Sequence, residues 1–338
     1  MNSPDSEVAD PLAQVAPALA WAERALGRAP PSRWTPLPVE ASHRRFYRGT
    51  FSAGAPASVI LMTAPPELEN NAQFLRLAGV FGEAGIGVPA VYARDLAPGW
   101  FVLEDLGVRH FADVYATADR DRALAGALDT LVALQAVLHP AVPPYTAARF
   151  RDELLLFTDW FAAGLLGLPR LPDWLDEVFG LLVDNTQAQP QCCVHRDFHS
   201  RNLLLRDDGR VGVVDFQDAL IGPASYDLAS LLRDCYHVFP EAAVRHWTAA
   251  YLDCARLPLD PAQFPRQLDL TAVQRQLKAV GIFARLWLRD GKRSHLPWIQ
   301  PVLARLVELC GEYPELRPLP DWLAGLQPQA ARALAVPS

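Results

Sequence analysis

The spacing of apolar side chains changes character about a third of the way along the chain. Leu19, Trp21 and Leu26 recur as on a helix behind a loose, flexible tail at residues 1–12, and the four prolines between Arg28 and Pro38 predict a loop after it. Arg45–Phe51 then alternates aromatic and polar residues, Ser58–Thr63 is an apolar run of strand length, and Pro65-Pro66 stops it, so the pair predicts a hairpin. Across Glu67–Glu83 a helical period returns through Phe74, Leu77, Ala78 and Phe81, with Gly85 and Gly87 closing it. Val88–Tyr92 and Trp100–Glu104 add two strands to a small sheet.

Beyond Asp105-Leu106-Gly107 the helical period dominates. It is carried by Leu124, Leu128, Leu131, Leu134 and Leu138, by Trp174, Val178, Leu181 and Leu182, by Val273, Leu277, Val280, Phe283 and Leu286, and by Val302, Leu306 and Leu309. Two short apolar runs, Leu203–Leu205 and Val211–Val214, interrupt these helices, and the Asp-Gly step in Asp207-Asp208-Gly209 marks a hairpin between them. The pattern predicts an α+β chain, with a sheet-bearing region over 13–105 and a helical one over 106–338.

Composition narrows the class. At 338 residues, 51% hydrophobic and 20% charged, the chain is globular and long enough for two lobes. A net charge of −7 without any Lys/Arg run argues against nucleic acid as a partner. Asp5, Glu7 and Asp10 stand where a secretory signal would be basic and then apolar, and no apolar run spans a bilayer, so a cytoplasmic location without membrane partners is expected. Five cysteines cannot all pair, and Cys192 and Cys193, as strand neighbours, point to opposite faces, which suits buried reduced thiols better than a shared metal. Of the 31 basic residues, only Lys278 and Lys292 are lysines.

The candidate chemistry flanks the hairpin. His195-Arg196-Asp197-Phe198-His199-Ser200-Arg201-Asn202 precedes it and Asp215-Phe216-Gln217 follows it. Asp197 can orient an acceptor hydroxyl or take its proton, and Asn202 and Asp215 offer the hard oxygen ligands that suit magnesium on nucleotide phosphates. The hairpin returns the chain so that both ligands meet. This arrangement resembles the protein-kinase superfamily, whose catalytic loop reads H-R-D-x-x-x-x-N and is followed by a metal-binding aspartate. The resemblance implies a bilobal protein-kinase-like fold, with a small antiparallel-sheet N-lobe and a mainly helical C-lobe, and ATP and Mg2+ as cofactors. It also implies that Trp100–Gly107 runs into a hinge where Glu104 and Leu106 lie along the nucleotide. His195 is then a structural residue bonded to the backbone near the second aspartate. Asp227, in Gly222-Pro223-Ala224-Ser225-Tyr226-Asp227-Leu228-Ala229, anchors the catalytic loop, although it also suits a helix N-cap.

The short passage from Asp215 to Gly222-Pro223, without the activation loop of protein kinases, points to a small-molecule acceptor. Glu40-Ala41-Ser42-His43-Arg44-Arg45-Phe46-Tyr47-Arg48, Leu61-Met62-Thr63-Ala64-Pro65-Pro66 and Leu103-Glu104-Asp105-Leu106-Gly107, with the catalytic segment, are similar to the anomeric N-acetylmuramate/N-acetylglucosamine kinases of bacterial cell-wall recycling. That likeness implies a sugar 1-phosphate product, passed to a nucleotidyltransferase. His199, Arg201, Gln217, Asp218, Arg233 and Asp234 are the candidate sugar contacts by proximity to the motifs. Two features depart from the wider superfamily. The first of these segments lacks the glycines of a phosphate-covering loop, and Met62 stands where the third strand would carry a phosphate-binding lysine, so Arg44 or Arg45 is expected to supply the charge. A kinase for another small alcohol, of aminoglycoside, choline or homoserine type, is the first alternative, and a nucleotide-binding pseudokinase the second.

Overall fold

The computed structural model describes residues 12–38 and 42–335. Residues 1–11 of the expected tail, and Glu40 and Ala41 of the segment that departs from a Gly-rich loop, lie outside the described residues. The chain divides into two compact units, Met1–Val108 and Arg109–Ser338.

In the first unit, helix α1 (Ala16–Ala25) is followed by strands β1 (Arg33–Pro36), β2 (Arg45–Thr50) and β3 (Ser58–Thr63), helix α2 (Asn71–Glu83), and strands β4 (Val91–Asp95) and β5 (Trp100–Glu104). The strands form one antiparallel sheet in the order β1-β2-β3-β5-β4. Val59, Leu61 and Val102 bury one face against Ala18 and Ala22 of α1. On the other face, Phe74 of α2 meets Phe101 edge to face, with centroids 5.7 Å apart. With both faces covered, β3 reads as a continuous apolar run, and Met62 is part of that core. Burying Phe74, Leu77 and Phe81 stabilises α2 by about 1.5–3 kcal/mol each, which outweighs any difference in helix propensity.

Three boundaries differ from the sequence expectation. The proline-rich stretch Arg28–Pro38 contains β1, because an edge strand needs ladder bonds on one side only and tolerates Pro36 at its end. Helix α2 starts at Asn71 and not at Glu67, since the Asn70 side chain accepts the N–H of Gln73 and caps it there. The fourth strand starts at Val91 and not at Val88. Gly99, at φ +72°, turns the chain between β4 and β5, where a Cβ would lie 1.9 Å from the Ala64 carbonyl oxygen.

The second unit begins with helices α3 (Phe111–Val114), α4 (Arg120–Gln135), α5 (Ala147–Leu156) and α6 (Leu175–Gln187). Strands β6 (Gln191–Val194), β7 (Leu203–Leu205), β8 (Val211–Val213) and β9 (Leu220–Pro223) follow, paired as β6-β9 and β7-β8. Helices α7 (Tyr226–Leu232), α8 (Glu241–Cys254), α9 (Phe264–Leu288), α10 (Ile299–Gly311) and α11 (Leu319–Ala335) complete it. Helix α4 ends three residues before Leu138, which is 83% exposed and not part of the predicted apolar face. Helix α9 is the centre of the unit, buried on nearly every side from Leu268 to Ala284. Gly281 permits this, because a Cβ there would stand 2.3 Å from the Leu156 carbonyl carbon at the end of α5. That close crossing sets Glu153 of α5 beside Lys278 of α9. All five cysteines are free thiols, but Cys254 is exposed and Cys235 half-buried, so burial holds only for Cys192, Cys193 and Cys310. Among the described residues no helix is long and apolar enough to cross a membrane.

Candidate active site

Strand β6 delivers the loop His195–Asn202, and Asp227 at the start of α7 holds it. Its buried carboxylate accepts the backbone N–H of His195 at 2.6 Å and of Arg196 at 2.9 Å. Burial pushes this carboxyl above its ordinary range, against the opposing pull of His195, Arg275 and the two N–H groups. This grip matters because Arg196 sits at φ +79°, in the left-handed region that a residue with a Cβ adopts only when its surroundings impose it. Asp215, at φ +65°, is the other such non-glycine residue among those described. Ser225 stands at the helix N-cap, so the alternative of Asp227 as cap does not describe its bonds. His195 donates its Nε2–H to the Val214 carbonyl at 3.0 Å, which ties the loop to the chain leading into Asp215.

Asn202 donates Nδ2 to the Asp197 carbonyl at 3.0 Å, and its own carbonyl accepts the N–H of Val214 at 3.0 Å. Among the described residues its side-chain Oδ1 accepts no hydrogen bond. Asp215 is exposed and accepts from Gln217 Nε2 at 2.8 Å through Oδ1 only. No cluster of three or more His, Cys, Asp or Glu that could hold a metal exists among the described residues. One amide oxygen and one carboxylate nevertheless fit magnesium, which keeps several waters and takes substrate phosphate oxygens for the rest of its shell.

Asp197 is 42% exposed at the side chain, with Nη2 of Arg275 3.9 Å from Oδ1. Burial raises its carboxyl, but the combined attraction of Lys278, His199, Arg196 and Arg275 overrides that and holds it well below the usual carboxylate range. Behind the loop, Glu153 receives Arg196 Nη2 and the Tyr145 hydroxyl and pairs with Lys278 Nζ at 3.2 Å. Arg275 donates to the Arg196 carbonyl at 3.0 Å. Arg196, Arg275 and Lys278 thus face Glu153, Asp197 and Asp227, a set buried except at Asp197 in which charges of the two signs are equal in number. The sequence reading did not single out Glu153, Lys278 or Arg275 for this site. One signal was available, since Lys278 is one of two lysines and interrupts an apolar helix between Leu277 and Val280.

The other candidates fall into separate places. Arg201 stacks with its guanidinium carbon 3.6 Å from the Tyr236 ring centroid, and His199 meets the same ring edge-on at 5.4 Å. Gln217 and Asp218 follow Asp215, and Asp218 gives its carbonyl to Arg196. Asp234 is fully buried and accepts the N–H groups of Ser200 and Tyr236, so its carboxylate supports the loop from within and does not face solvent. Arg233 is turned away to Glu241 and Asp269.

In the first unit, Arg48 forks onto Asp105 at 2.6 and 3.0 Å and onto the Gly107 carbonyl, which engages it fully. Arg44 is 4% exposed, with Nε 3.2 Å from Glu69 and its guanidinium over Phe74. Arg45 donates Nη1 to the carbonyls of Ser42 and Arg44. Glu104 pairs with Ala90 through its N–H and its carboxylate, and Leu106 is buried.

Comparison with known proteins agrees with this geometry. Residues 33–265 match the phosphotransferase enzyme family. The chain is similar to the N-acetylmuramate/N-acetylglucosamine kinase of Pseudomonas aeruginosa, 39% identical over 91% of this chain and 92% of that one. It is likewise similar to the enzyme of that name from Neisseria meningitidis, 40% identical over 83% of this chain and 86% of the other. Among solved structures, a choline/ethanolamine kinase family protein from Mesorhizobium loti has the same fold, with a TM-score of 0.62 at 17% identity, covering 94% of this chain and 99% of that one.

Proposed function

Because the chain belongs to the phosphotransferase enzyme family, we propose that it transfers the terminal phosphoryl group of ATP to the anomeric hydroxyl of N-acetylmuramate and N-acetylglucosamine. The observation that carries the substrate is likeness at 39–40% identity, over most of both chains, to two kinases named for these sugars. The charge beside the catalytic loop supports it: among the described residues the polar side chains set against the Tyr236 ring are Arg201, His199 and His295, while the Asp234 carboxylate is turned inward to the Tyr236 backbone N–H, which suits an acetylated, uncharged or acidic sugar better than a polycationic drug.

In this reading Asp197 orients the acceptor hydroxyl. The new bond joins the sugar oxygen to phosphorus, the bond from phosphorus to the ADP oxygen breaks, and the hydroxyl proton leaves by way of Asp197. Asn202 and Asp215 would hold magnesium, which when bound draws charge from the phosphates. Leu106 and the backbone near Glu104 would lie along the nucleotide. Arg44, buried and braced by Glu69 and Phe74, would meet the phosphates in place of the absent lysine, with Arg45 as the alternative. The product, a sugar 1-phosphate, would feed a nucleotidyltransferase in the cytoplasm.

The test is an acceptor panel with purified protein, ATP and magnesium, read as ADP release. The two sugars should exceed aminoglycosides, choline and homoserine. Reducing-end signal should fall as ADP accumulates, and phosphorus NMR coupling should assign the phosphate to C1. A 6-phosphate product, or preference for another acceptor, overturns the reading.

A further inference from the structure

We propose that Arg201 is the carboxylate receptor that separates N-acetylmuramate from N-acetylglucosamine; this rests on the amino-sugar reading above. The two sugars differ by one group, a lactyl ether carrying a carboxylate, so a protein that discriminates between them needs a cation placed for that group and for nothing else.

Arg201 is a cation on the loop to which no described residue gives a counterion or a side-chain hydrogen bond. Each of its neighbours has a partner. Arg196 and Lys278 share Glu153, and Arg275 lies beside Asp197 and bonds the Arg196 carbonyl. Arg233 pairs with Glu241 and Asp269, and Arg305 donates to the carbonyls of Asp234, Cys235 and His237. Arg201 has no ion pair and no side-chain hydrogen bond among the described residues, four positions after Asp197 on the same loop.

Its orientation is fixed all the same. The guanidinium lies 3.6 Å over the Tyr236 ring and 5.5 Å from the Trp298 ring, and the Arg201 carbonyl is bonded to His110 Nδ1 at 2.8 Å. Tyr236 is itself held, with its N–H on Asp234 and its ring edge-on to Trp298 at 5.3 Å. Stacking engages the face of a guanidinium and leaves its edge, where the N–H donors lie, free for a bidentate carboxylate. His199 adds a second polar group on the same ring, and its buried Nδ1 has no hydrogen-bond partner. His295, against Tyr236 and Phe283, is neutral at neutral pH, because burial and then Arg201, Lys292 and His199 push its imidazole down to about 4. His295 therefore adds no positive charge here, and the Arg201 guanidinium is the permanent cation of this cluster.

The experiment compares kcat/KM for the two sugars in wild type, Arg201→Gln and Arg201→Lys, with the full chain, ATP and magnesium. Arg201→Gln should lower the N-acetylmuramate to N-acetylglucosamine ratio about 10- to 100-fold, the range that charge-assisted hydrogen bonds supply, and Arg201→Lys should restore part of it. An unchanged ratio overturns the proposal, whether both activities fall together or neither moves. Wild type with the lactyl amide of N-acetylmuramate provides a test that needs no variant to fold: the acid should be preferred at least tenfold, and parity overturns the assignment. If wild type phosphorylates neither sugar, the amino-sugar reading falls first and takes this one with it.

Discussion

Arg275 Nη2 stands 3.9 Å from Asp197 Oδ1 while the same atom donates to the Arg196 carbonyl at 3.0 Å. The arginine thus stabilises the charge of Asp197 from beyond hydrogen-bond distance and leaves its carboxylate oxygens available to an acceptor hydroxyl. A carboxylate held this far below its ordinary range is a weak proton acceptor in the ground state, so in the proposed transfer its main contribution before the phosphoryl group moves would be orientation.

Asp197→Asn should fold and bind nucleotide normally while turnover falls on the order of 100- to 10,000-fold. Because the neighbouring cations lower the Asp197 carboxyl, the wild-type kcat profile should show no loss from its protonation above about pH 4, the ordinary carboxylate range. Wild-type turnover in the variant would remove Asp197 from the reaction.

Asp215→Asn retains an oxygen for Gln217 but loses the charge facing a cation. Half-saturation by magnesium, measured from ATP turnover against metal concentration, should move to higher metal. Coincident curves would exclude Asp215 as a ligand.

Glu153→Gln leaves Arg196 and Lys278 buried without their shared carboxylate. Removing one partner of a buried ion pair costs about 3–5 kcal/mol, so urea unfolding should show a stability loss of that order. A loss under about 1 kcal/mol would mean that water already compensates these cations.

Arg44→Ala should raise the ATP Michaelis constant by tenfold or more, whereas Arg45→Ala, whose contacts are backbone carbonyls, should change it less. If neither variant shifts the constant or turnover by about threefold, under 1 kcal/mol, magnesium and backbone amides hold the phosphates alone.

His295 gives a stability term with a defined sign. Its imidazole is pushed down to about 4, from an unfolded value near 6.5, so between these values the unfolded chain binds the extra proton. Stability should fall as pH drops through this window, with a slope of at most about 1.4 kcal/mol per pH unit from this group. His295→Gln should flatten the urea midpoint against pH there, and an unchanged slope would show that His295 is protonated without cost.

The sequence alone determined the parts whose signals are local. The change of period at Asp105-Leu106-Gly107, the strand hairpin and the loop from His195 to Asn202 are contiguous, because backbone hydrogen bonding and side-chain spacing act over a few residues. Within such windows two of the boundary differences have local causes: an edge strand looks like a proline loop, and a capping asparagine looks like one more helical residue. What only the tertiary structure decided are the partners of the charges. Arg44, Arg45 and Arg48 are indistinguishable as sequence, but Asp105, 57 residues on, engages Arg48 and leaves the others to different roles. Arg196 finds Glu153 43 residues back, and Arg201 finds an aromatic face and no acid. Coulombic and stacking energies depend on distance in space and on the water excluded between groups, and neither quantity is set until the chain has packed.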